Sequence, residues 1–219
     1  GIPSINFGFS SGNGIYHSRY DSHWFFTKFG DPGFAYGKKL SELVAIFLLR
    51  MANAEVLPFD YTRTAETIDR YLDELEKAAS ASGLEHEIDL LPVRDANASL
   101  KATGLVLQRQ LTALLNRKLP LQRRQAKLLR RVNEALLKTE QAFLYAKGLP
   151  GRPWYKHQIY APGFYTGYGV KTLPGVREAI EKKDAREARD MIRVLQSTLN
   201  RAQQQLLRAA VLIAAESNS

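Results

Sequence analysis

The hydrophobic positions near the C-terminal end of the chain follow one uninterrupted helical pattern. Apolar residues recur there in alternating steps of four and three, which places them on one face of an α-helix. This seam consists of Ala188, Ile192, Leu195, Leu199, Ala202, Leu206, Ala209 and Ile213. Such a seam packs against other helices at a shallow angle, as in a helix bundle. The sequence leaves open whether its partners lie in the same chain or in a second copy, and packing within the chain is favoured.

Similar periodic segments predict four more helices upstream. They cover residues 31–56, 62–82, 95–119 and 121–146. Asp31 is a predicted N-cap with Pro32 in the first helical position, and Gly83 ends the second of these helices. The last two form a helical hairpin that is broken at Pro120. A short aromatic helical segment is predicted between Asp21 and Asp31, where Trp24, Phe25, Phe26 and Phe29 cluster.

The first nine residues predict a β-strand instead of a helix. Ile2, Ile5 and Phe7 give the apolar spacing and β-branched content of a half-buried strand. One strand cannot form a stable sheet alone. No initiator Met or apolar signal segment precedes it. We therefore interpret the strand as the edge of a larger sheet, and we expect the chain to be the C-terminal part of a longer protein.

Composition narrows the class of protein. The chain has 219 residues, 45% of them hydrophobic, which suffices for a sizeable core. No run approaches the roughly 20 apolar residues of a membrane span, so no membrane contact is expected. The absence of Cys excludes disulfides and thiolate zinc sites within this chain. The absence of Cys does not fix the compartment, since many extracytoplasmic bacterial proteins also lack Cys. For the parent protein an extracytoplasmic location is favoured, either secreted, periplasmic or membrane-anchored.

The formal net charge of +9 raises the question of nucleic-acid binding. The densest basic run extends from Arg117 to Arg131. Its cations share one helix face opposite Leu128, Leu129 and Val132, which is typical of a solvated surface. No aromatic residue interrupts the run to stack on bases. We therefore expect no nucleic-acid partner.

A long non-helical segment separates the last predicted helices. Residues 148–171 are rich in Gly, Pro and aromatic side chains. Ordering such a loop costs conformational entropy, so it either lines a functional site or fills a gap in the fold. In the second interpretation Trp154, Tyr155 and Tyr160 are buried anchors. His157 is expected to be a hydrogen-bonded anchor of the loop.

His17 is the strongest candidate for chemistry. It lies in Tyr16-His17-Ser18, behind the glycine-rich Ser11-Gly12-Asn13-Gly14. A catalytic metal needs three or more side-chain ligands, and no second cluster of His, Asp or Glu supplies them. Either His17 is an ordinary histidine or most of its site lies elsewhere. His23 and His86 are not proposed as ligands.

A series of short motifs, in order along the chain, resembles the C-terminal part of the glutamate carboxypeptidase II (prostate-specific membrane antigen) family. The motifs are Ser11-Gly12, Tyr16-His17-Ser18, Asp31-Pro32, Val56-Leu57-Pro58-Phe59-Asp60, Gly148-Leu149-Pro150, Arg152-Pro153, His157, Ile159-Tyr160-Ala161-Pro162 and Pro174-Gly175. These proteins are dizinc exopeptidases, and the non-enzymatic transferrin receptor shares their fold. The resemblance covers nearly the whole chain.

The resemblance implies a mainly α chain with two parts. Residues 1–58 would be the last strand and helix of an α/β zinc peptidase domain. Residues 59–219 would be a helical bundle of the transferrin receptor-like dimerisation type. The parent protein would then be a homodimer that hydrolyses peptides with two zinc ions. This chain alone would be inactive, since the other ligands and the general base lie outside it.

The same resemblance assigns roles to four residues. His17 matches a zinc ligand, and Tyr16 matches a tyrosine whose hydroxyl assists at the reacting carbonyl. Gly167 and Tyr168 match a lysine and tyrosine pair that binds the substrate's terminal glutamate. Because Gly167 replaces the lysine, we expect a different and more apolar substrate preference. The alternative is a receptor-like protein that keeps the fold and binds or dimerises without catalysis.

Overall fold

The structure is a computed structural model of the chain. It describes residues 1–10, 12, 14–116, 123–167 and 169–217, with the side chains of residues 123, 124 and 217 left aside. Within these ranges the chain is mainly α-helical, as the sequence predicts. The helices are α1 (His23–Phe25), α2 (Ala35–Ala52), α3 (Tyr61–Ser82), α4 (Leu91–Leu115), α5 (Arg123–Gln141), α6 (Pro174–Glu181) and α7 (Ala185–Ser217). Two short strands, β1 (Tyr160–Pro162) and β2 (Val170–Thr172), pair between α5 and α6.

The chain divides into two units. Residues 4–58 form one unit, and residues 59–219 together with residues 1–3 form the other. The helix bundle lies entirely in the second unit.

Helix α7 is the centre of the bundle. It contacts α4, α5 and α6, while α3 packs on α4 and α6. All eight residues of its predicted seam are buried, and Leu199, Ala202 and Leu206 are completely enclosed. The seam is therefore filled by helices of the same chain, as favoured from the sequence. An aliphatic stripe must lose its contact with water somewhere, and here the three neighbouring helices enclose it.

Helix α3 shows how local sequence sets the ends of an element. The side chain of Asp60 accepts a hydrogen bond from the backbone N–H of Arg63 and caps the N-terminus. Gly83 ends the helix in the left-handed region, with φ of 75°. Between these caps the apolar face is buried, so this prediction is confirmed. The face comprises Ala65, Ile68, Leu72, Leu75 and Ala79.

The two helices of the predicted hairpin differ from prediction at their outer ends. Helix α4 begins at Leu91, four residues early, because Pro92 is tolerated in a first turn where no N–H bond is needed. Helix α5 ends at Gln141 and not at Ala146. Beyond it the backbone turns to pair with the loop, where Gln158 N–H donates to the Phe143 carbonyl at 3.0 Å. Pro120 lies outside the described residues.

The segment predicted to be non-helical forms a β-hairpin. Strands β1 and β2 are antiparallel, with Ala161 opposite Lys171. The seven residues 163–169 connect them, and Tyr168 lies outside the described residues. Helix α6 follows directly and was not among the predicted helices. Its signal is Pro174 at the first position followed by apolar residues at helical spacing.

The unit of residues 4–58 differs from prediction at its beginning. Residues 1–10 form no strand, so the strand expected over Ile2, Ile5 and Phe7 is wrong. A strand needs a neighbour that pairs with its backbone, and periodicity alone does not supply one. The main helix of this unit is α2, as predicted, but it begins at Ala35.

Asp31 caps α2 from a distance. A 3₁₀ turn at Pro32–Phe34 intervenes, and both Gly33 and Phe34 have positive φ. The Asp31 carboxylate nevertheless accepts hydrogen bonds from the amides of Tyr36 and Gly37, at 3.0 and 2.8 Å. Asp31 therefore caps the helix, as predicted, but the helix begins at Ala35 and not directly after Asp31. The aromatic segment before it continues α1 as a π-helical turn through Gly30.

We expect Leu199→Ala to destabilise the protein by about 2–5 kcal/mol, since it opens a cavity in the α7 seam. Val211→Ala on the exposed side of the same helix should cost less than about 0.5 kcal/mol. Urea unfolding followed by circular dichroism measures both. Equal losses of unfolding free energy in the two variants would contradict the central position of the seam.

Candidate functional site

His17 lies on an exposed turn in the first unit. Its backbone φ is 64°, a left-handed conformation that is uncommon for a residue with a side chain. Ser18 N–H donates to the Ile15 carbonyl at 2.9 Å and closes the turn. The Tyr16 and His17 rings stack, with their centroids 3.7 Å apart. Both side chains are exposed to solvent.

The described residues do not form a complete metal site around His17. No group of three or more His, Asp or Glu side chains within those ranges is arranged to hold one metal ion. A single exposed histidine cannot bind catalytic zinc by itself. Any zinc role of His17 therefore needs ligands beyond those that the described residues supply.

Gly167 lies at the exposed tip of the loop between β1 and β2. Its φ is 55°, which favours glycine, and no atom lies within 4 Å of where a Cβ would be. Lys171, the nearest lysine along the chain, lies on β2 and forms an ion pair with Glu181. Tyr168, the other residue of the predicted substrate pair, lies outside the described residues.

A buried ion pair lies at the base of this loop. Arg152 Nη2 donates to Glu178 Oε2 at 2.6 Å, and both side chains are over 90% buried. From the sequence, Arg152 is noted only as part of the Arg152-Pro153 motif, and Glu178 is not a candidate. The spacing of the two residues gave no signal, because their contact depends on α6 packing beneath the loop.

The buried anchors of the loop are not the ones predicted. Trp154 is 67% exposed, Tyr160 is 43% exposed and Tyr155 is half-buried, so none of the three is a buried anchor among the described residues. Gln158, Ile159 and Ala161 are buried in their place. Within β1, Tyr160 is exposed and Ala161 is buried, because neighbouring residues of a strand point to opposite faces.

His157 anchors the loop through both ring nitrogens, as predicted. Nδ1 accepts hydrogen bonds from the amides of Ile159 and Tyr160, each at 3.2 Å. Because Nδ1 accepts, we assign the proton of the neutral ring to Nε2, which lies 3.0 Å from Glu140 Oε1. His157 thus ties the loop to the end of α5 and has no free nitrogen for a metal.

Two tyrosines near this contact have pKa values above the ordinary range. Burial raises the pKa of Tyr61, and the nearby Glu140 carboxylate raises it further. The Tyr61 hydroxyl donates to the Leu136 carbonyl at 2.7 Å. Burial also raises the pKa of Tyr160, whose hydroxyl lies 3.3 Å from that of Tyr71. Both tyrosines are therefore neutral hydrogen-bonding groups at neutral pH.

The basic face of α5 has the arrangement predicted for a solvated surface. Lys127, Arg130 and Arg131 are exposed, whereas Leu128, Leu129 and Val132 are buried. Residues 117–122 of the basic run lie outside the described residues. No helix in the described part of the chain has both the length and the hydropathy of a membrane span.

The matches to known proteins agree with one another on the family. The model of the transferrin receptor-like dimerisation domain matches residues 88–207. A probable glutamate carboxypeptidase of Arabidopsis thaliana is 32% identical over 181 residues, which is 83% of this chain and 25% of that protein. The aminopeptidase NAALADL1 of Rattus norvegicus is 30% identical over 165 residues, or 75% of this chain and 21% of that protein.

A more distant relative is named as a protein without peptidase activity. An inactive zinc metalloprotease of Schizosaccharomyces pombe is 21% identical over 216 residues, which is 94% of this chain and 27% of that protein. The chain spans about a quarter of the length of these relatives.

We expect the free energy of unfolding to fall as the pH rises above about 10, the ordinary tyrosine pKa. The unfolded chain can ionise Tyr61 there, whereas the folded chain holds its raised pKa, so deprotonation favours unfolding. Tyr61→Phe should cost about 1–2 kcal/mol at pH 8 through the lost hydrogen bond and should show a shallower alkaline decline. Urea unfolding at pH 8 and pH 10.5 measures this, with the exposed Tyr165→Phe as control. An unchanged alkaline slope in Tyr61→Phe would contradict the assignment.

Proposed function

The chain belongs to the family of the transferrin receptor-like dimerisation domain, and from that premise we propose that it is part of a dimeric zinc exopeptidase. Its resemblance to glutamate carboxypeptidases, deduced from the sequence, is confirmed by the named relatives. We assign residues 1–58 to an α/β zinc peptidase domain and residues 59–219 to the dimerisation domain.

The observation that carries the proposal is the extent of the similarity to peptidases. The match to the Arabidopsis thaliana protein covers 181 residues, more than the range 88–207 contains. It therefore extends beyond the range that the model of the dimerisation domain matches. A relationship to glutamate carboxypeptidases outside that domain favours a peptidase parent.

The exposed apolar surface of residues 4–58 supports packing against further polypeptide. Within the described part of this unit, only Asp31 is buried. Trp24 and Phe29 are 66% and 60% exposed, and Leu49 on α2 is 63% exposed. An exposed apolar patch of this kind marks an interaction surface. We propose that it faces the remainder of the peptidase domain.

His17 is proposed as one zinc ligand of that completed domain. Its exposure leaves the imidazole accessible to a metal shared with other ligands. Tyr16 is proposed as the hydroxyl that donates a hydrogen bond to the reacting carbonyl, next to the ligand. Since the described residues hold no complete metal site, this chain is proposed to be inactive by itself.

Gly167 and Tyr168 are proposed to contact the peptide substrate. The position and exposure of Gly167 suit a contact between loop backbone and ligand. No lysine occupies position 167, and Lys171 is paired with Glu181. A buried substrate carboxylate needs a paired cation, so we propose a terminal residue less acidic than glutamate.

The partner and compartment complete the proposal. We propose a homodimer formed through residues 59–219, in keeping with the family that matches there. We propose an extracytoplasmic parent, either secreted, periplasmic or anchored to a membrane. The absence of Cys is compatible with this compartment.

A receptor-like protein without catalysis is the second candidate. The Schizosaccharomyces pombe relative, which aligns with 94% of this chain, is named an inactive zinc metalloprotease. Inactivity therefore occurs in a protein that aligns with both units. The candidate functions differ in whether the parent protein binds zinc.

We expect the full-length parent, purified without chelator, to contain about two zinc ions per chain. His17→Ala should remove at least one of them, because a dizinc site loses a ligand. Inductively coupled plasma mass spectrometry measures the metal content. His23→Ala is the matched control, since His23 is another exposed histidine six residues away. Absence of zinc from the intact parent would favour the receptor-like protein.

We expect the 219-residue chain, with a mass of 24.7 kDa, to sediment as a dimer whose dissociation depends on concentration. The matched family supplies the reason, since its domain serves dimerisation. Analytical ultracentrifugation over a hundredfold dilution measures the mass. A monomer at every concentration would count against the proposed homodimer.

A further inference from the structure

The ion pair of Arg152 and Glu178 is buried where the β1–β2 loop joins α6. The two side chains are only 6% and 7% exposed. Removing both charges from water costs free energy, and an apolar pair of the same volume is often as stable or more stable. Stability alone is therefore a poor explanation for this pair.

Both partners also hydrogen-bond to the backbone of the loop. Glu178 Oε1 accepts from the Phe164 amide at 2.8 Å. Arg152 Nη1 donates to the Pro162 carbonyl oxygen. These two contacts lie on either side of Gly163, so the ion pair fixes the point at which the chain leaves β1.

The Arg152 guanidinium also holds an aromatic side chain of the loop. Its central carbon lies 5.3 Å from the centroid of the Phe164 ring. The Tyr155 ring lies at a similar distance, 5.5 Å. Cation–π contacts of this kind gain strength when they are shielded from water. Phe164 is thus fixed through both its amide and its ring.

Further hydrogen bonds join the beginning of the loop to its end. The Gly163 amide donates to the Gly169 carbonyl at 2.9 Å, and Thr166 Oγ1 donates to the same carbonyl at 2.8 Å. A Cβ at Gly163 would lie 2.2 Å from Thr166 Oγ1 and 2.8 Å from Lys171 Cγ, so a larger residue there would displace these side chains. Gly167 remains at the exposed tip.

We propose that Arg152 and Glu178 are positioning residues that hold residues 163–167 of the loop in the conformation that binds the peptide substrate. They act through the loop and do not themselves contact the substrate. The inference rests on the proposed function, because the substrate role of Gly167 and Tyr168 belongs to it. According to this inference, the ion pair controls substrate affinity and contributes little to the free energy of unfolding.

The test replaces the whole ion pair in the full-length protein with Arg152→Met and Glu178→Met together. This double variant keeps the side-chain volume, removes both buried charges and deletes both hydrogen bonds to the loop. The matched control is Arg177→Met with Glu74→Met. That pair also joins α6 to its surroundings, with Arg177 Nη2 2.7 Å from Glu74 Oε2, and the other hydrogen bonds of Arg177 go to Thr172 and not to the described residues of the loop.

Three measurements are made on both double variants and on the unmodified protein. Hydrogen exchange of residues 163–169 should become roughly tenfold faster in the Arg152 and Glu178 variant, while α7 is unaffected. KM for a peptide substrate should rise roughly tenfold with kcat within about twofold, since ground-state binding is lost. The unfolding midpoint should stay near that of the unmodified protein. The control should leave loop exchange and KM unchanged.

Other results overturn the inference in distinguishable ways. Unchanged exchange in the loop would show that the pair does not position it. Faster exchange with an unchanged KM would show that loop order does not set substrate affinity. An unmodified parent without peptidase activity would overturn the proposed function and with it the substrate part, whereas the exchange measurement would still decide whether the pair orders the loop.

A variant that fails to fold would itself contradict the small stability role. In that case Arg152→Lys is measured in the same way. Lysine keeps the charge, but its single ammonium cannot reproduce the two-pronged contact with Glu178 and Pro162. Faster loop exchange and a higher KM in Arg152→Lys would support the positioning role, and unchanged values would overturn it.

Discussion

Burial of the apolar face of α7 is the constraint on which the rest of the bundle depends. A 33-residue helix with a continuous aliphatic stripe cannot stay solvated, so α4, α5 and α6 are drawn onto it. Leu199 and Leu206 have no exposed surface. The position of α6 follows from this packing, and α6 in turn brings Glu178 to Arg152. The geometry of the candidate loop thus depends on the packing of α6 against α7.

Apolar contacts and hydrogen bonds fix different features of the loop. Ala161 on β1 and Ile159 immediately before the strand are both buried, which fixes where the strand lies. His157 and Arg152 then fix its direction through hydrogen bonds to Glu140 and Glu178. Apolar burial is non-directional, whereas these bonds have defined geometry. An ordered base beneath an exposed tip is the outcome, and this arrangement suits a loop that presents backbone to a ligand.

The two units differ in how completely they satisfy their own apolar surface. The unit containing the bundle encloses its core, while residues 4–58 leave aromatic and aliphatic side chains exposed around α2. His17 lies in the second kind of environment, on a turn with an exposed ring. A metal-binding role for this unit and a receptor-like role would each require a further surface that packs against it. The candidate chemistry and the apolar surface of this unit therefore lead to the same requirement.

The sequence by itself determined the helices whose ends and faces are encoded locally. The steps of four and three indicated the α7 seam, and Gly83 indicated the end of α3, because caps and periodicity act over a few residues. Family motifs in the sequence also indicated the dimerisation domain. The tertiary structure alone decided which loop residues are buried, that residues 1–10 form no strand, and that Arg152 meets Glu178. Those outcomes depend on partners distant in sequence, and a side chain's burial or a strand's pairing exists only once such partners are in contact.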